Sequence, residues 1–193
     1  MMDRELSETL RRVKQLLESR GIRYAIIGGI AATVRSPVRV TEDVDVVMGC
    51  ELEDAQSILE DLTSGGPDSE RFEPAFDGVE DLIRTAFLLP IVDRQSGIRA
   101  DICVGLTAFE RQAVERATAE VLGGITIPVI TGEDLLVMKL LADRPKDQQD
   151  IGGIVETADE TFDWDHCRRL TEEFDREAGL NLTERLDGLR ASV

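Results

Sequence analysis

The hydrophobic pattern of this chain changes in character near residue 130. Before it, short apolar runs punctuated by glycine, such as Tyr24–Ile27, Phe87–Val92 and Ile98–Val104, alternate with helical stretches; beyond it the apolar residues recur at helical spacing alone. Short apolar runs bounded by turn residues are strands, and a 3.6-residue period is an amphipathic helix. The order of the two patterns therefore predicts an α+β domain with a mixed sheet flanked by helices and a helical C-terminal part. The expected division is a core over residues 1–130 and a helical part over 131–193 packed on it.

Within that plan, Leu6, Leu10, Val13 and Leu17 predict an opening helix over 3–20, with Gly21 as its stop. Arg23–Ile27 reads as a buried strand, Gly28-Gly29 as a tight turn, and Ala31-Ala32-Thr33 as a short helix ended by Pro37. Val44–Met48 is a second strand and Leu52–Leu62 a second helix, followed by an irregular stretch over 66–80. The runs 87–92 and 98–104 form a hairpin over the loop Asp93–Gly97, a helix covers 107–114, and 117–130 is a second hairpin turning at Gly123-Gly124, for about six strands. Thr131 with Asp134 resembles a capping box for a helix through Leu141, and helices follow at 146–158, 164–178 and 182–190.

Charge limits the partners. With 39 Asp and Glu against 22 Lys and Arg, the net charge is -17, and a surface of that sign repels the polyanion that a bulk DNA binder must neutralise. The lysines are only Lys14, Lys139 and Lys146, so each one invites a question. No apolar run is long enough to span a bilayer, and the start Met-Met-Asp-Arg-Glu-Leu lacks the pattern of a signal peptide, so the expected location is cytoplasmic. Cys50, Cys103 and Cys167 are odd in number and widely spaced, as free buried thiols are.

The chemistry sits on the strands. In Asp43-Val44-Asp45 the two-residue period sends both carboxylates to one face and the valines to the other. Chance alone would scatter about eight acid-x-acid triplets through so acidic a chain, so the pair is weak evidence taken alone. Its context raises it: the strand is apolar, Gly28-Gly29 precedes it by 13 residues, and Asp101 interrupts another apolar strand, Ile98–Val104. A carboxylate in such a strand is costly unless a cation or hydrogen bonds balance it. Three carboxylates on neighbouring strands suit two Mg²⁺ ions about 4 Å apart, which would hold triphosphate oxygens and activate an attacking hydroxyl. A glycine turn leading into a helix lets backbone amides approach a phosphate.

These residues resemble the active-site signature of the DNA polymerase β-like nucleotidyltransferase superfamily. The string Gly28-Gly29-Ile30-Ala31 with Arg39-Val40-Thr41-Glu42-Asp43-Val44-Asp45 is similar to the subgroup holding the AbiEii-type toxins of bacterial type IV toxin–antitoxin systems. The block Lys139–Ile151 resembles that subgroup's later motif. The resemblance implies the polymerase β-like fold and a nucleotidyltransferase using Mg²⁺ or Mn²⁺. Asp43, Asp45 and Asp101 would be metal ligands and catalytic, with Asp101 the third ligand or the base. Gly28, Gly29, Arg39 and Thr41 would face phosphate, and Lys139 and Asp147 would form a nucleotide-binding or catalytic pair. Many superfamily members carry a serine where this chain has Gly29. The implied partners are an NTP, an acceptor hydroxyl on tRNA or another RNA end, a protein or a small molecule such as an antibiotic, and an antitoxin. The alternative is a catalytically inactive relative that binds a nucleotide or a partner protein.

Other residues carry less. Lys139, in the apolar stretch Leu135–Leu141, either snorkels to solvent or faces an anion, and Asp147 could simply serve a helix N-terminus. The single histidine, His166, reads as structural, and its neighbour Cys167 shows no metal-ligand spacing with the other cysteines.

Overall fold

The computed structural model describes residues 3–36 and 41–191. These form two compact units, one drawn from Met1–Ile30 and Thr41–Ile130, the other from Ala31–Val40 and Thr131–Val193, each taken over its described residues.

The first unit is built on a mixed sheet of seven strands: β1 (Tyr24–Ile26), β2 (Val44–Met48), β3 (Phe72–Pro74), β4 (Leu88–Asp93), β5 (Arg99–Val104), β6 (Thr118–Leu122) and β7 (Ile125–Val129), in the order β3-β4-β5-β2-β1-β7-β6. The two expected hairpins are present as the antiparallel pairs β4–β5 and β6–β7. The centre differs in kind: β2 runs antiparallel to β1 but parallel to β5, and β1 runs parallel to β7. A parallel partner needs a long crossover, here the excursion from β2 through α3 (Leu52–Ser64), β3, α4 (Val79–Ala86) and β4.

Strand β3 falls inside the stretch 66–80 expected to be irregular, and α4 begins at its end. Strand β3 has three residues, and α4 ends on Phe87 in a left-handed conformation (φ 54°), so the strand begins at Leu88 and not at Phe87. Three residues give no periodicity, and an eight-residue helix running straight into a strand blurs both patterns.

Helix α1 (Arg4–Ser19) buries Leu6, Leu10, Val13, Leu16 and Leu17 and packs on β2 and β7. Its position is fixed by charge as well. Asp93, fully buried at the end of β4, accepts from Arg12 Nη1 at 2.5 Å, Thr9 Oγ1 at 2.9 Å and the Gln95 amide at 2.9 Å. Burial works against that carboxylate's charge, but the Gln95 amide, Arg12 and Thr9 outweigh it and hold the pKa below the ordinary value. On β2 the acid-bearing face is covered by α5 (Ala108–Arg116), where Val47 packs with Ala25 and Val114. Thr107 and Glu110 close a full capping box at the start of α5.

The second unit is helical: α6 (Gly132–Ala142), α7 (Asp147–Thr157), α8 (Trp164–Ala178) and α9 (Leu182–Arg190). Only one arm of the box expected at Thr131 forms. Its hydroxyl accepts from the Asp134 amide at 3.2 Å, while the Asp134 carboxylate, fully buried, meets His166 Nε2 at 2.9 Å. His166 is thereby a structural tie between α6 and α8. Among the described residues no helix is long and apolar enough to cross a membrane.

Asp93→Ala should cost about 3 kcal/mol, since it strands half-buried Arg12 and buried Thr9. A carboxylate whose folded pKa is depressed stabilises the fold above its unfolded pKa of about 4 and loses that contribution as pH falls through the folded value. Urea unfolding between pH 7 and pH 2 should therefore show an acid limb that is shallower in the variant.

Candidate active site

Helix α2 (Gly28–Arg35) starts directly at the end of β1, so Gly28 and Gly29 are its first residues and not a separate turn ahead of it. Gly28 has φ +61°, and a Cβ built on it would lie 2.6 Å from Asp45 Cβ and closer still to the carboxylate. Two independent constraints, backbone and space, therefore require glycine there. The Ile27 amide donates to the Asp45 carbonyl at 2.9 Å, and the Gly29 amide reaches Asp45 Oδ2 at 3.4 Å. The Asp45 side chain thus sits at the N-terminus of α2, where the helix dipole favours an anion.

Asp101 lies beside it. In the parallel pair β2–β5 the register sets Asp45 opposite Asp101, Val46 opposite Ile102 and Val47 opposite Cys103. With Cβ atoms alternating across the sheet, Asp45 and Asp101 share one face while buried Val46 and Ile102 share the other. Both acids are half-buried, and the cover supplied by α5 lies at Val47, two residues further along β2. Arg99, on the same face of β5 as Asp101, donates Nε to Asp101 Oδ1 at 2.6 Å.

Asp43 lies exposed just before β2, and its carbonyl accepts from Thr41 Oγ1 at 3.3 Å. Among the described residues no three His, Cys, Asp or Glu side chains are grouped to hold a metal ion together. The pair of Asp45 and Asp101 nonetheless offers the hard oxygen donors that Mg²⁺ or Mn²⁺ prefers, and a magnesium–nucleotide site needs only one or two carboxylates because phosphates and water complete the shell. The donor chemistry fits such an ion. Cys103 does not join it: burial first, then Asp45, Asp101 and Glu110, push its thiol up to about 12, leaving it protonated near neutral pH.

Of the remaining expected site residues, Arg39 lies outside the described residues. Lys139 and Asp147 belong to the second unit and meet each other there. Lys139 Nζ donates to Asp147 Oδ1 at 3.2 Å and Asp150 Oδ2 at 2.6 Å, and Arg144 forks onto Asp147 at 2.6 and 3.1 Å. Lys139, Asp147 and Asp150 are all buried. The ammonium does not snorkel to solvent; two buried carboxylates neutralise it. Burial opposes the Asp147 charge, but Arg144 and Lys139 hold its pKa below the usual value.

Sequence reasoning missed Arg99 and Asp150. Each had a signal: Arg99 stands two residues before Asp101, on the same face of one strand, and Asp150 stands three after Asp147, on the same face of one helix.

No protein-family model matches this chain, and none of the curated proteins matches it. Solved structures do. An antigenic nucleotidyltransferase-like protein from Paracoccidioides brasiliensis superposes with a TM-score of 0.57 at 20% identity, over 96% of this chain and 94% of that one. The antibiotic-resistance factor ANT(2'')-Ia superposes with a TM-score of 0.50 at 16% identity, over 95% of this chain and 88% of that one. This chain has the nucleotidyltransferase fold. The architecture expected from the resemblance is therefore the one found.

If Lys139 is a structural member of a buried ion cluster, Lys139→Met should lower the unfolding free energy by about 3–5 kcal/mol, because it takes the ammonium away from two buried carboxylates, of which Asp147 keeps Arg144. Unchanged stability in denaturant titration would reverse that assignment and return the ammonium to a ligand.

Proposed function

We propose that the protein is a nucleotidyltransferase, moving a nucleoside monophosphate from an NTP to an acceptor hydroxyl with a divalent metal ion, Mg²⁺ or Mn²⁺, as cofactor. The observation that carries this reading is the register of Asp45 against Asp101 beside the N-terminus of α2. Carboxylates for a metal and helix amides for a phosphate lie together, on a fold shared with nucleotidyltransferase-like proteins.

In this reading Asp45 and Asp101 would hold the ion, with Asp43 as a further ligand. The bound ion would neutralise phosphate charge and make the α-phosphorus a better electrophile. The amides at Gly28 and Gly29, with Thr41 and Arg39, face the phosphates. Arg99 lets go of Asp101 as the site fills. The acceptor oxygen forms a bond to the α-phosphorus, the bond from that phosphorus to the bridging oxygen breaks, and pyrophosphate leaves. The hydroxyl proton passes to a carboxylate, for which Asp101 is the candidate. Lys139 and Asp147 serve as a positioning pair that keeps α6 and α7 joined.

The finer assignment is to the AbiEii-type toxins with an antitoxin as partner, supported by the spacing of Gly28-Gly29, Asp43-Val44-Asp45 and the Lys139–Ile151 block. For the acceptor, the net charge of -17 favours a protein side chain or a neutral or cationic small molecule over RNA. An antibiotic-resistance factor among the similar folds supports a small molecule.

The test is transfer from each α-labelled NTP, with Mg²⁺ or Mn²⁺, onto the protein itself, total RNA and a panel of small hydroxylated acceptors. Asp45→Asn and Asp101→Asn should each lower labelling by about 100-fold or more, as loss of a group that stabilises transition-state charge does. Labelling that survives both changes would refute the assignment. NTP binding without transfer in any arm would leave a nucleotide-binding relative.

A further inference from the structure

Gly29 lacks the backbone reason that Gly28 has. Its φ lies outside the left-handed region, and it stands in the first turn of α2, where almost any residue except proline makes a better helix. What excludes a side chain is Thr41. A Cβ on Gly29 would lie 2.6 Å from Thr41 Cβ and nearer still to Oγ1. Rotating the threonine about χ1 would move the hydroxyl but not Cβ, whose place is set by the backbone. Only a backbone shift, of the chain at residue 41 or of α2 itself, could make room.

A shift at residue 41 would be transmitted. Thr41 Oγ1 donates to the carbonyl of Asp43, so the residue filling the space beside Gly29 is tethered to the acid two positions on. Asp43 then leads directly into β2, which carries Asp45. The segment has few other anchors near Asp43: Glu42 and Asp43 are exposed, and burial begins at Val44.

We propose that Gly29 and Thr41 form a steric lock that seats Asp43, making Thr41 a positioning residue for that carboxylate. A missing side chain on α2 and a threonine on the facing segment are two halves of one fitting. The inference rests on the nucleotidyltransferase reading only in taking Asp43 as a metal ligand.

The test is a mutant cycle read by Mn²⁺ binding in the absence of nucleotide, using electron paramagnetic resonance, with thermal melting of each variant alongside. Gly29→Ala should weaken Mn²⁺ binding by about 10- to 100-fold, the usual cost of disturbing a residue that supports a ligand. Adding Thr41→Ala should not rescue it, because Cβ remains; adding Thr41→Gly should bring binding and melting to the level of Thr41→Gly alone. Wild-type binding in Gly29→Ala, or losses that simply multiply in Gly29→Ala/Thr41→Gly, would overturn the lock. Should Gly29→Ala fail to fold, Thr41→Val decides the tether. It keeps the shape, loses the donor and should weaken binding by about tenfold, with Thr41→Ser recovering most of that loss; full binding by Thr41→Val would overturn the role. A wild-type protein that binds no Mn²⁺ would defeat the metal reading itself and the positioning role with it, an outcome distinct from failure of the cycle in a protein that binds.

Discussion

Two carboxylates placed opposite each other on adjacent strands repel, and everything around Asp45 and Asp101 answers that repulsion. Asp45 is turned to the amides that begin α2, and Asp101 is held by Arg99. Arg99 is substantially exposed, so its pairing with Asp101 is not a buried ion pair. A pair open to solvent is held less firmly than a buried one.

The contrast appears elsewhere in the same chain. Asp93 is closed off by Arg12, Thr9 and the Gln95 amide, and Asp61 and Asp68 share Arg20 in the same manner. In the second unit Lys139, Asp147, Asp150 and Arg144 form a group of two positive and two negative charges, three of whose four side chains are buried. These clusters have every charge met at close range, as burial demands. With acids outnumbering bases 39 to 22, many of the basic side chains are committed in this way, and the remaining surface stays negative. That excess is a physical argument about partners, since it disfavours any long polyanion.

Much of this was legible from the residues. Short apolar runs around glycine-containing loops located both hairpins, and the caps and apolar spacing located α6 to α9 to within a residue or two. That Asp101 stands on a strand beside the one carrying Asp45 was legible; that the two share a face needed the register. What escaped has physical reasons. Strand β3 is too short to have a period, and Phe87, which looked like the start of a strand, instead closes α4 with a positive φ. Gly28-Gly29 was read as a turn because glycine pairs usually are, whereas here the first glycine meets the need of a helix start pressed against Asp45. The resemblance coupled Lys139 to Asp147, but Asp150 escaped because a lysine in an apolar helix announces only that something must compensate it, and the second carboxylate comes from the next helix. Parallel register between β2 and β5, on which the site depends, is a tertiary fact separated by a long crossover, and no local pattern encodes it.

The most direct measurement is a crystal structure with Mn²⁺ and a non-hydrolysable NTP, using the anomalous signal of the metal to place it. The account predicts a peak between the Asp45 and Asp101 carboxylates at about 2.1–2.2 Å from their oxygens, with Arg99 withdrawn from Asp101 and the phosphates against the start of α2. Nucleotide bound elsewhere, with Arg99 still paired to Asp101 and no metal at the acid pair, would contradict it.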